Sequence, residues 1–234
     1  MTELRVLSCD NHLLVVDKPA GIPTVPDASG DESLLDLARH WVRERFAKPG
    51  NVFLGVVQRL NRPVSGVLVF ARTSKAAARL TREQKEGRMR KVYWGVGQGR
   101  PPAPGGVLEQ WLEKDEARNR VRALAGPGQG ASRVGGGAKR AVTRWRVLEE
   151  REGRTLYELA PETGRPHQLR VCSATLGTPL AGDLKYGARE ALPDRSIALH
   201  ARILELEHPS RGERLSFVAP APRLPVWSFA ACRE

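Results

Sequence analysis

The chain has 234 residues, of which 41% are hydrophobic and 6% aromatic, and it carries a formal net charge of +12. That length buries a core without disulfides or metal, and Cys9, Cys172 and Cys232 form neither a disulfide framework nor the paired spacing of a zinc site. The first residues lack the apolar run of a signal peptide, and nothing later approaches the roughly 18 apolar residues of a membrane span, so a reducing cytoplasm without membrane attachment is expected. The charge is local: residues 72–91 hold eight Lys or Arg against two Glu, and residues 114–146 hold nine against two acidic residues. A localised basic surface favours a polyanion, RNA or DNA above all.

In chain order, residues 5–17 alternate and then run apolar through Leu13, Leu14, Val15 and Val16, which predicts a strand ending at the turn Asp17-Lys18-Pro19-Ala20-Gly21. Ser33 is placed to cap a helix to about Phe46, with Leu34, Leu37, Ala38, Trp41 and Val42 on its apolar face. The central stretch, residues 56–71, reads VVQRLNRPVSGVLVFA. Val56-Val57 and Val67–Phe70 are expected as buried strands flanking a polar loop that presents Arg59, Asn61, Arg62 and Ser65. Ser74 then caps a second helix ending at Gly87, and Lys75, Arg79 and Arg82 recur at i, i+4 and i+7 on one face, where they are candidates for phosphate contacts.

Residues 89–97 predict a strand carrying Tyr93. The GVGQG that ends it is no dinucleotide site, because Pro101-Pro102-Ala103-Pro104 prevents a helix from starting behind it. GPGQGASRVGGG, residues 126–137, is expected as a flexible loop inside a single domain, flanked by basic residues such as Arg120, Arg122 and Arg140. Val142–Leu148 and Thr155–Leu159 predict a hairpin turning at residues 151–154. Pro166 suits a helix N-terminus, with the helix running to Gly177 and Arg165, His167, Gln168 and Arg170 clustered at its start as anion-binding candidates. A final strand is expected at Arg214–Val218. No metal-ligand spacing, phosphate-binding P-loop or Ser-His-Asp pattern occurs.

KPAGIP, RLNRPVSG, KVY, TGRPHQLR, GDLKYG, LHA and HP follow one another between about residues 10 and 222. This ordered series resembles the RluA-type RNA pseudouridine synthases. The resemblance implies an α+β catalytic domain with a long mixed, mainly antiparallel sheet, flanking helices and loops, and a central RNA cleft. It implies conversion of uridine to pseudouridine in rRNA or tRNA without cofactor or metal, by a protein expected to be a monomer. The target base must leave its stack, which suits a basic cleft with a stacking aromatic. Position by position, Tyr93 would lie against the uracil and Arg170 would pair with the catalytic carboxylate. Lys18, Arg59 and Arg62 would hold RNA backbone or the active loop. The family's catalytic aspartate falls at Asn61, whose amide is neutral and essentially not basic, and Gln58 stands where the family often has histidine. The chain is therefore expected to be inactive as written, either as a silenced enzyme or as a diverged relative. The alternative is a non-catalytic RNA-binding or ribosome-assembly protein that keeps the uridine pocket.

Overall fold

A computed structural model describes residues 3–124, 126 and 137–233; the expected flexible loop lies outside the described residues except for Gly126 and Gly137. The architecture is α+β, and the chain divides into two compact units, Met1–Lys91 with His200–Pro222, and Val92–Leu199 with Arg223–Glu234.

In the first unit, residues 5–17 form two strands, β1 (Arg5–Cys9) and β2 (Leu13–Lys18), rather than one. Asp10 breaks the run: its carboxylate accepts the N–H groups of His12 (2.7 Å) and Leu13 (2.8 Å), closing a side-chain turn. Helix α1 (Leu34–Arg45) begins at Ser33 as expected, and Asp36 completes a capping box. The expected first strand of the central stretch shrinks to β3 (Gly55–Val56), where Val56 is exposed and Val57 half-buried. Strand β4 (Ser65–Ala71) takes the buried run and begins at Ser65 itself. Helix α2 (Ser74–Lys85) is capped by Thr73, whose side chain accepts the Ala76 N–H, and not by Ser74.

Strand β10 (Leu199–Glu207) pairs in parallel with β4, His200 opposite Ser65 and Ala201 opposite Gly66, while β2 and β3 pair antiparallel with β4. Strand β11 (Arg214–Val218), expected from sequence, pairs antiparallel with β10. Only glycine fits at 66: its φ is +116°, and a Cβ there would stand 2.3 Å from the Ala201 carbonyl oxygen.

The second unit is an antiparallel series of β5 (Arg90–Gln98), β9 (Arg154–Pro161), β8 (Lys139–Arg151), β6 (Gly105–Asp115) and β7 (Arg120–Leu124), neighbours in that order. The β8–β9 hairpin turns at Glu152 and Gly153, both with positive φ, as a two-residue primed turn requires. Helix α3 (Gln168–Thr175) starts two residues after Pro166, because His167 adopts a left-handed conformation (φ 52°) as its N-cap. Among the described residues, no helix is long and apolar enough to cross a membrane.

Candidate active site

In the first unit the backbone of the loop bearing Asn61 is fastened by buried groups of the preceding segment. Lys18 ends β2 fully buried, and its ammonium donates to the carbonyls of Pro19 (2.9 Å), Arg62 (3.2 Å) and Val64 (2.8 Å). The Gly21 N–H donates to the same Arg62 carbonyl at 2.8 Å. The buried Thr24 hydroxyl donates to the Leu60 carbonyl (2.8 Å) and accepts the Leu60 N–H (3.1 Å). The carbonyls of Pro23 and Thr24 also accept the first N–H groups of α1, so the KPAGIP segment joins loop to helix.

Burial and the nearby Arg62 push the Lys18 ammonium down to about 7, while the three carbonyls favour its charged form. A side chain so enclosed is closed to phosphate, so of its two expected roles, holding RNA backbone or the active loop, Lys18 fills the second.

Asn61 is half-buried; its carbonyl accepts the Val64 N–H at 3.0 Å, and its side-chain amide has no hydrogen-bond partner among the described residues. Arg59 is exposed. Arg62 turns to Asp27 (3.0 Å), Asp31 (2.5 Å) and Ser29, binding residues 27–31 to the loop. Below the loop, the Ser65 hydroxyl donates to Nδ1 of the buried His200 (2.9 Å), whose Nε2 donates to the Ala219 carbonyl (3.2 Å). Desolvation pushes this imidazole down to about 4, so it is neutral at physiological pH.

In the second unit, Arg170 and Asp183 form a buried, two-pronged ion pair, with Nε to Oδ2 at 2.7 Å and Nη2 to Oδ1 at 2.6 Å. Arg170 therefore has a carboxylate of its own and is not left without an anion by Asn61. The guanidinium carbon lies 4.8 Å from the centre of the Tyr186 ring, a cation–π contact. The Tyr186 hydroxyl accepts the Val121 N–H (2.8 Å) and is hydrogen-bonded to His167 Nδ1 (2.7 Å). Burial, reinforced by Arg170, pushes His167 down to about 4, which leaves the ring uncharged near neutral pH.

Gln168 is buried and saturated: its oxygen accepts from Thr163 and the Arg165 N–H, and its amide donates to the Val142 carbonyl and the Thr143 hydroxyl. With no capacity left for RNA, it is corrected to a brace between α3 and β8. Arg165 donates to the Arg140 carbonyl (2.9 Å). Tyr93, half-buried on β5, has a hydroxyl without a partner among the described residues, and burial pushes that hydroxyl up to about 12.

The clamp by Thr24, the His200 bridge and the Asp183 partner all lie in or beside the recognised motifs, but sequence gives no signal for what each side chain would touch. Among the described residues, no group of three or more His, Cys, Asp or Glu is placed to hold a metal ion.

Residues 12–175 match the family model described as RNA pseudouridylate synthase. The chain belongs to that family. It is 35% identical over 219 residues to an uncharacterized RNA pseudouridine synthase of Zymomonas mobilis, covering 93% of each chain. To the ribosomal large subunit pseudouridine synthase D of Pseudomonas aeruginosa it is 30% identical over 246 residues, 99% of this chain and 72% of the relative. Among solved structures it is similar to human RNA pseudouridylate synthase domain containing 4, with a TM-score of 0.74 and 26% identity over 94% of this chain and 89% of that one. The matched stretch contains the Asn61 loop and Arg170, while Asp183 and Tyr186 lie beyond it, and RNA is the family's substrate.

Proposed function

We propose that this protein binds a structured RNA and receives a uridine as its family does, but does not isomerise it as written. The observation that carries this reading is Asn61, a neutral amide without a side-chain partner among the described residues, on a loop otherwise held in place by Lys18, Gly21 and Thr24. Attack on the sugar, or removal of a proton, needs the charge and lone pair of a carboxylate; an amide nitrogen shares its pair with the carbonyl and supplies neither. Tyr93 supports the uracil ring in this reading, and Arg59 faces phosphates. The names of several relatives favour ribosomal over transfer RNA as the target, and the proposed setting is the cytoplasm.

The decisive experiment compares the chain with its Asn61→Asp form on total RNA lacking pseudouridine, mapping the product. The expected outcome is no product from the Asn61 chain and robust product from Asn61→Asp, because the near-isosteric exchange leaves the clamped main chain untouched. Product from the Asn61 chain would overturn the assignment of chemistry to this position. A silent Asn61→Asp form that still binds RNA would instead favour a non-catalytic RNA-binding or ribosome-assembly protein.

A further inference from the structure

Sequence order sets α2 directly behind the Asn61 loop, but β4 intervenes. Seven residues at about 3.3 Å each carry the chain roughly 20 Å from the loop before α2 begins. The parallel partner β10 gives the same measure, with His200 beside Ser65 at the loop end and Glu207 seven residues further on. Strand β2 agrees, Lys18 lying opposite Gly66 and Leu13 opposite Ala71.

At that far end, a cleft of about 380 Å³ opens between α2 and the turn His208–Gly212 that joins β10 to β11. A smaller hollow of about 110 Å³ continues it past Lys75. The turn is fixed by the buried His208, whose Nδ1 accepts the N–H groups of Ser210 (3.2 Å) and Arg211 (3.1 Å) while Nε2 donates to Asp10 at 2.8 Å.

The carboxylates at this place are already engaged. Glu83 is buried and accepts the Glu207 N–H (2.8 Å) and Arg214 (3.3 Å), and Glu207 pairs with Arg88 (3.4 Å). Among the described residues, Lys75 and Arg82 have no ion pair, and Arg79 spends one N–H on the Pro209 carbonyl. Three exposed cations without a carboxylate partner thus follow one helix over about 10 Å, the length of roughly three steps of a stacked strand. The cleft lining contains no Phe, Tyr, Trp or large aliphatic anchor of the kind a protein partner would bury.

We propose that this cleft is a second RNA site, gripping phosphates of the backbone about six nucleotides from the target uridine, so that the protein senses how far the RNA structure extends beyond the modified base. The proposal rests on the RNA-binding function argued above. The test uses the full chain and two RNA hairpins with one uridine-bearing loop, on stems of 4 and 14 base pairs, with affinities measured by fluorescence anisotropy at 50 and 200 mM salt. The variants are Lys75→Gln/Arg79→Gln/Arg82→Gln and, to spare the Arg79–Pro209 bond, Lys75→Gln/Arg82→Gln.

The unaltered chain should prefer the long stem. The triple variant should lose that preference and show a salt-induced fall in affinity for the long stem smaller by about 10- to 40-fold, the loss of two or three phosphate contacts. The double variant should fall between, and affinity for the short stem should stay within about twofold. Equal losses on both stems, no loss on the long one, or retention of polyglutamate as tightly as RNA would each overturn the proposal. Loss of the stem-length effect alone condemns the cleft, whereas failure of the unaltered chain to bind either hairpin condemns the RNA-binding function with it.

Discussion

At the scale of single residues, the Asn61 loop separates support from the chemistry proposed for it. Lys18 and Thr24 hold carbonyl and amide groups, so they fix where residue 61 stands without specifying what it is. Tyr93 is expected to act through its ring: Tyr93→Ala should weaken binding of a uridine-containing RNA by about 1–3 kcal/mol, and Tyr93→Phe by much less. Equal losses in a titration would implicate the hydroxyl instead. Asn61, Tyr93 and Arg170 stand out in the sequence because each lies in one of the ordered motifs, but the partner of Arg170, Asp183, does not follow from its own motif. For Lys18 the sequence leaves RNA backbone and active loop both open, and the role of Gln168 is not legible, since a polar side chain reads the same whether it meets phosphate or a buried carbonyl. Burial decides between the two, and burial depends on residues distant in sequence, such as Val64 for Lys18 and Val142 for Gln168.

At the scale of elements, α1, α2, β5 and the β8–β9 hairpin were legible because a cap, a stop or a turn residue marked their ends. β6 and β7 escaped notice, since charged residues interrupt their alternation and Val107 is exposed. The break between β1 and β2 was hidden as well, because it depends on one aspartate folding back on its own main chain. The parallel pairing of β4 with β10, 135 residues apart at Ser65 and His200, has no local signature at all. It makes a sharp demand on Gly66. Gly66→Ala should cost at least about 2 kcal/mol in urea unfolding, since the added methyl meets the Ala201 main chain and the φ is unfavourable. An unchanged midpoint would show that the two strands part without cost.

At the scale of the whole molecule, stability should decline in acid for an identifiable reason. His167 and His200 are both held near 4 by burial, below their ordinary value of 6.5. As pH falls the unfolded chain takes up these protons first, so the contribution is complete above about 6.5 and lost as pH falls through about 4. The slope is at most about 1.4 kcal/mol per pH unit for each imidazole. Chemical denaturation from pH 7 to 4 should show this uptake, and His200→Gln should remove about one proton of it; an unaltered slope would mean that His200 is charged in the folded state. The main-chain clamp around residues 60–64 has a consequence for how such a protein evolves. A gene can exchange the carboxylate for its amide by one base change and still encode a folded product. In the proposed reading, selection for catalysis and selection for folding act on separate atoms of this loop, so an enzyme can be retired to a binding role, or returned to catalysis, in one mutational step.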